Sequence, residues 1–166
     1  MQSGDSGGGP PASTRVRFWP VPVFRSNPEQ TGRAVAKGGA VSGPFIFIAT
    51  NRLKPGKLAD ERKRVPGLVD SVEANEPQLI AFNEYVNDDG TEVAVVQIHP
   101  DSKSMAFHME VVAERAAAAY AETVAATTSI QVFGTPSKAV LEMLERQAGA
   151  GVPLTVKSFH LGGFTR

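Results

Sequence analysis

The chain of 166 residues contains no cysteine. That excludes a disulfide scaffold, a thiolate nucleophile and every zinc site with cysteine ligands. It also lacks any excess of charge, since 17 basic and 17 acidic groups give a formal net charge of zero. A protein that tracks phosphates needs a basic face, so the balance argues against nucleic-acid binding. No apolar run approaches the ~20 residues of a membrane-spanning helix. Histidine is scarce, and tryptophan occurs once, as Trp19. What is present, with 42% apolar residues, is the composition of a soluble, cytosolic, compact protein. The length suits one domain, or a smaller domain with a tail.

The charge is unevenly spread. Residues 1–43 carry five basic groups (Arg15, Arg17, Arg25, Arg33, Lys37) against Asp5 and Glu29, and the remainder carries the opposite excess. This segment also holds the run from Gly7 to Pro11. It cannot bury enough apolar surface to offset its ordering entropy, so it reads as a disordered extension. Pro20 and Pro22 interrupt the best candidate for a secretory signal, Phe18 to Phe24. A docking role for Arg17-Phe18-Trp19-Pro20 is the sharper alternative.

From residue 44 the pattern is regular. Phe45–Thr50 is β-branched and aromatic and reads as a buried strand. Leu58, Val65, Val69 and Val72 fall on one helical face, with Asp60, Glu61, Lys63 and Arg64 mostly elsewhere, and Pro66 is expected to kink or split the helix. Leu79–Val86 is a second strand, Asp88-Asp89-Gly90 a hairpin turn, and Glu92–His99 a third strand. Asp101 or Ser102 caps a helix whose face carries Met105, His108, Met109 and Val112. Ala116–Ala126 extends the helical signal, and Thr127–Phe133 is a fourth strand.

The order β-α-β-β-α-β predicts an α+β, ferredoxin-like domain over 44–134, an antiparallel sheet with helices on one face. Strand residues are apolar on both sides, so the second face is expected to pack on another copy as a homodimeric α/β barrel. Residues 135–166 add a helix capped by Ser137 and a strand at Leu154–Leu161. That strand can take its own sheet edge or the partner's. Exchange with the partner removes an edge and is the favoured placement.

Residues ~45–133 resemble the antibiotic-biosynthesis-monooxygenase superfamily of dimeric α+β barrels. The likeness rests on Phe45–Arg52 as first strand, Asn75-Glu76-Pro77 before the second, the Asp88–Gly90 hairpin and the segment reaching His108. A family pattern sets an aromatic residue, often Trp, nine positions before the helix histidine. Here His99 occupies that place, and Gln97 stands where Glu is frequent. The resemblance implies an oxygenase that needs no cofactor and acts on a quinol or polycyclic phenol in a pocket between sheet and helices. Such chemistry requires a proton acceptor, donors for the resulting anion, and shelter from water.

On this reading His108 is the candidate base and Asn51 orients a substrate oxygen. Tyr85, Asn83, His99 and Gln97 are candidate substrate contacts. Each also has a structural reading, as a core histidine, a turn residue or strand packing. Ala49-Thr50-Asn51-Arg52-Leu53 also resembles the first strand of the haem-degrading branch, where the Asn acts with a Trp and a His, but residues 44–166 hold no Trp. A non-enzymatic binding or dimerisation module is a further alternative. No metal site is expected, because His99, His108 and His160 are spaced by nine and fifty-two residues.

Overall fold

The computed structural model describes residues 43–165. The expectations for the N-terminal extension lie outside the described residues, Gly43 excepted. The chain runs β1 (Phe45–Leu53), α1 (Leu58–Asn75), β2 (Ala81–Val86), β3 (Glu92–His99), α2 (Ser102–Val111), α3 (Ala113–Glu122), β4 (Val124–Phe133), α4 (Lys138–Ala148) and β5 (Leu154–Lys157). The strands form one sheet in the order β2-β3-β1-β4-β5. The first four pair antiparallel, and β5 lies parallel to β4. This is the ferredoxin-like α+β arrangement, extended by one helix and one strand.

The strand period of two separates the sheet's faces. Phe45, Phe47, Ala49, Asn51 and Leu53 of β1 point towards the helices and are buried. So do Val93, Gln97 and His99 of β3. The register sets Phe82, Gln97 and Phe47 in one row across three strands. The next row is Glu84, Val95 and Ala49, and the one after it holds Val93 and Asn51. The core gathers Phe45, Phe47, Met105, Ile130, Val132, Val140 and Leu144. Full burial of a side chain such as Leu144 contributes ~1.5–3 kcal/mol, so α4 is bound firmly to the domain.

Several expectations are corrected. α1 runs unbroken through Pro66. Pro66 and Arg62, four residues earlier, are both exposed, so water can reach the carbonyl that proline leaves without a donor. The buried face of α1 is Glu61, Leu68 and Val72, rather than one that excludes Glu61. The alanine-rich helix stops at Glu122, and Ala125 and Ala126 belong to β4. Tertiary pairing with β1 there overrides helix propensity. The last strand is four residues long and occupies its own sheet edge, with Leu154 opposite Ile130 and Val156 opposite Val132. Within the single chain both lie in the half-buried layer against the core. Beyond it Phe159 and Leu161 are 92% and 99% exposed.

Candidate active site

A cavity of about 280 Å³ lies between the helix-facing side of the sheet and α1, α2 and α3. Its walls are mainly apolar: Phe47, Ala49, Leu68, Phe82, Val93, Val95, Val112 and several alanines. The volume sits near the lower end of the ~300–1,000 Å³ range of small-molecule sites.

His108 lines this cavity. Asp101 starts its helix, accepting a hydrogen bond from the Ser104 backbone N–H at 2.8 Å. Seven residues on, His108 faces the sheet and packs on the Phe82 ring, with centroids 5.7 Å apart. Its Nδ1 meets both carboxylate oxygens of Glu76, at 2.9 and 3.0 Å. Both residues are almost wholly buried. Burial pushes the Glu76 carboxyl up to about 7. Burial, and then the neighbouring His99, pull the His108 imidazole down to about 4. The imidazole is therefore neutral at neutral pH. Once Glu76 ionises, it accepts the Nδ1 proton and fixes that tautomer, leaving the Nε2 lone pair for the cavity.

His99 does not line the cavity. It is fully buried, and both its nitrogens are engaged: Nδ1 with Ser104 Oγ and Nε2 with Gln97 Oε1, each at 3.1 Å. The Gln97 oxygen can only accept, so Nε2 carries the proton and Nδ1 accepts from the Ser104 hydroxyl. Burial draws its pKa down to about 4. Its ring stands edge-on to His108 at 5.5 Å, outside the lining of the cavity in which the sequence reading expects it to contact substrate. Gln97 does line the cavity, and its oxygen is taken by His99, so its N–H₂ is left to donate.

Asn51 lies on the same wall, 8% exposed. Its Oδ1 accepts from the Thr127 hydroxyl at 2.9 Å, and Thr127 in turn is bonded to the Tyr120 hydroxyl. Asn51 pairs with Val93 and Gln97 with Phe47, so the rows of Asn51 and Gln97 are four residues, ~13 Å, apart along β3. His108 and Asn51 thus share one cavity without meeting at one atom. Tyr85 and Asn83 are corrected. They alternate with Phe82 and Glu84, so they stand on the opposite sheet face, where Tyr85 is 60% exposed.

Four groups that the sequence reading left aside complete the polar lining. Glu61 accepts from Arg64 Nε at 3.0 Å and Nη2 at 2.5 Å, and from the Thr123 hydroxyl at 2.5 Å. Burial opposes its ionisation, yet the bonds from Arg64 and Thr123 hold its carboxyl below the usual range. Glu84 is pushed up to about 7, by burial first and then by a proton shared with Glu61. The fourth is Gln147 of α4. Period and spacing alone carry no sign of these four, because the inward face of α1 and β2 is set by packing.

Among the described residues no three His, Cys, Asp or Glu side chains gather as a metal site, and no helix is long and apolar enough to cross a membrane. His160 lies over Gly43, on the C-terminal segment. Of the residues that the haem-degrading resemblance implies, Asn51 has its Oδ1 on the Thr127 hydroxyl, and residues 44–166 hold no tryptophan.

No family model matches the sequence, and neither does any curated protein. Solved structures do. MupZ from Pseudomonas fluorescens superposes with a TM-score of 0.55 at 14% identity, over 74% of this chain and 94% of that one. A candidate antibiotic biosynthesis monooxygenase from Caulobacter crescentus gives 0.49 at 20% identity, over 55% and 88%. Another antibiotic biosynthesis monooxygenase gives 0.48 at 17%, over 56% and 99%. The fold of the described chain is that of MupZ. At that identity the likeness concerns the backbone architecture alone, and any chemistry has to be argued from this chain's own cavity.

Proposed function

We propose that the protein is a cofactor-independent monooxygenase acting on a quinol or polycyclic phenol, and that it works as a homodimer. The observation that carries this reading is the buried Glu76–His108 pair on the wall of an apolar cavity. His108 Nε2 takes the phenolic proton, and Glu76 holds the ring for that transfer. The apolar walls favour the flat ring system and exclude water. The Gln97 amide stands in the row beside His108 and donates to the oxyanion.

The electron-rich anion then reacts with dioxygen at a ring carbon bearing hydrogen. A C–O bond forms, and the distal oxygen takes a proton to give a hydroperoxide. Loss of water breaks the O–O bond, removes the carbon's hydrogen and leaves a carbonyl. One oxygen atom enters the product and one becomes water, so the substrate supplies all the electrons.

The dimer rests on the sheet's open face. Ile46 and Ile48 of β1 stand beside Ile98 and Val96 of β3 there, half-buried. A second copy packed on this face would cover that patch and close the barrel.

Oxygen uptake with a panel of quinols tests the reading. Turnover that falls ~10²-fold or more in His108→Ala is expected. Equal rates in the two proteins would remove the base from the reaction.

A further inference from the structure

Among the described residues, three buried side-chain oxygens accept a hydrogen bond from no donor: both oxygens of Glu84 and Oε1 of Gln147. Both residues line the candidate cavity. Native structures hold few such atoms, because an unpaired buried acceptor is costly. Two separate elements, β2 and α4, therefore present the same unmet need, and it is a need for donors.

Glu84 shows why the protein cannot meet that need itself. Its side chain is 4% exposed. Arg64, the nearest cation, stands 3.9 Å away and spends two N–H groups on Glu61. The Thr123 hydroxyl also goes to Glu61. Glu61 is itself an acceptor and reaches Glu84 only through a shared proton. Along β2, Glu84 follows Phe82, the ring on which His108 packs, by two residues. It therefore lies ~7 Å along β2 from the ring that His108 packs on.

We propose that Glu84 receives a hydroxyl group of the aromatic ligand, so that the substrate is polyhydroxylated and is anchored by a hydroxyl remote from the one His108 deprotonates. This rests on the reading of the cavity as an aromatic-substrate site and adds the functional group that the substrate carries. A hydroxyl suits the site better than an ammonium group, because the Arg64 guanidinium repels a second cation there. With its proton shared with Glu61, Glu84 is left with oxygen that can only accept, and a ligand hydroxyl supplies the donor it lacks.

Isothermal titration of the full chain with 1-naphthol and with 1,5-dihydroxynaphthalene tests this. The second compound adds one hydroxyl on the remote ring. The diol should bind the wild type about tenfold more tightly or better. Glu84→Met, which keeps the volume and removes the acceptor, should erase that advantage while leaving 1-naphthol affinity in place. Glu84→Gln, which keeps a carbonyl oxygen, should retain most of it. Equal affinity of the two compounds for the wild type overturns the proposal, whether or not the Met variant folds. An undiminished advantage in a folded Met variant overturns it as well. Should neither compound bind the wild type, the aromatic pocket fails, and the anchor fails with it.

Discussion

Nδ1 of His108 is held by both oxygens of Glu76, a residue thirty-two positions earlier in the chain, with both side chains shut away from solvent. Glu76 closes the end of α1, and α2 delivers the histidine, so the pair forms only when both helices dock on the sheet. The proton arrangement of the pair depends on charge. Only the ionised carboxylate fixes the Nδ1–H tautomer and frees Nε2. With the Glu76 carboxyl raised to about 7, turnover of a phenol should climb as pH rises through about 7. Glu76→Gln keeps the shape and removes the charge. It should cost ~10²-fold in kcat and abolish that rising limb. Oxygen uptake followed from about pH 5 to about pH 9 decides; a limb unchanged in the variant would assign it to another group.

The second prediction concerns stability. The Glu84 carboxyl ionises at about 7 in the folded protein, above its ordinary value of 4.5. A folded-state pKa that is raised contributes stability at low pH, and this contribution is lost as pH rises through about 7. Glu84→Gln has no such proton to lose. Between about pH 5 and about pH 8 the variant should therefore gain about 2 kcal/mol on the wild type. Denaturant unfolding at the two pH values measures it, and a constant difference would mean that Glu84 is not buried as a neutral acid.

Much of the fold is legible in the sequence because local chemistry and tertiary structure agree. Asp101 caps α2, and the Asp88–Gly90 hairpin turns with Gly90 at a φ of 73°. His108 could be found because its apolar neighbours Met105 and Val112 recur at helical spacing. The inward face of β2 could not be found that way. Leu79, Ala81 and Tyr85 alternate with Ile80, Phe82 and Val86, so both faces look apolar and Tyr85 is as plausible as Glu84. Glu61 and Arg64 read as a solvated face because long charged side chains usually lie in water. Here they neutralise each other against the cavity, a pairing that depends on Thr123 and Glu84 from elsewhere in the chain. Glu76 was visible as a landmark before a proline, and its partner is too distant in sequence for spacing to reveal.

A third prediction follows from α4, whose Gln147 borders the cavity. The Ser137 side chain accepts from the Val140 backbone N–H at 3.3 Å and starts this helix. Ser137→Ala should destabilise the protein by ~1 kcal/mol. The denaturant midpoint should fall with an unchanged slope, since the surface exposed on unfolding is the same. A variant as stable as the wild type would show that packing of Val140 and Leu144 alone fixes the start of α4.

The sheet's open face supplies the last prediction. Ile48 lies directly opposite Val96, and both are half-buried in the single chain. A glutamate at position 48 would be hydrated in a lone protomer and cost little there. Against a second copy it would become an unpaired buried charge, a penalty of roughly 3–5 kcal/mol. Ile48→Glu should therefore sediment as a protomer with unchanged helical content, where the wild type sediments as a dimer. Thermal midpoints should depend on protein concentration in the wild type and lose that dependence in the variant. A wild type that sediments as one protomer across the whole concentration range would leave Ile46, Ile48, Val96 and Ile98 without a covering copy, and the dimeric barrel would have to be abandoned.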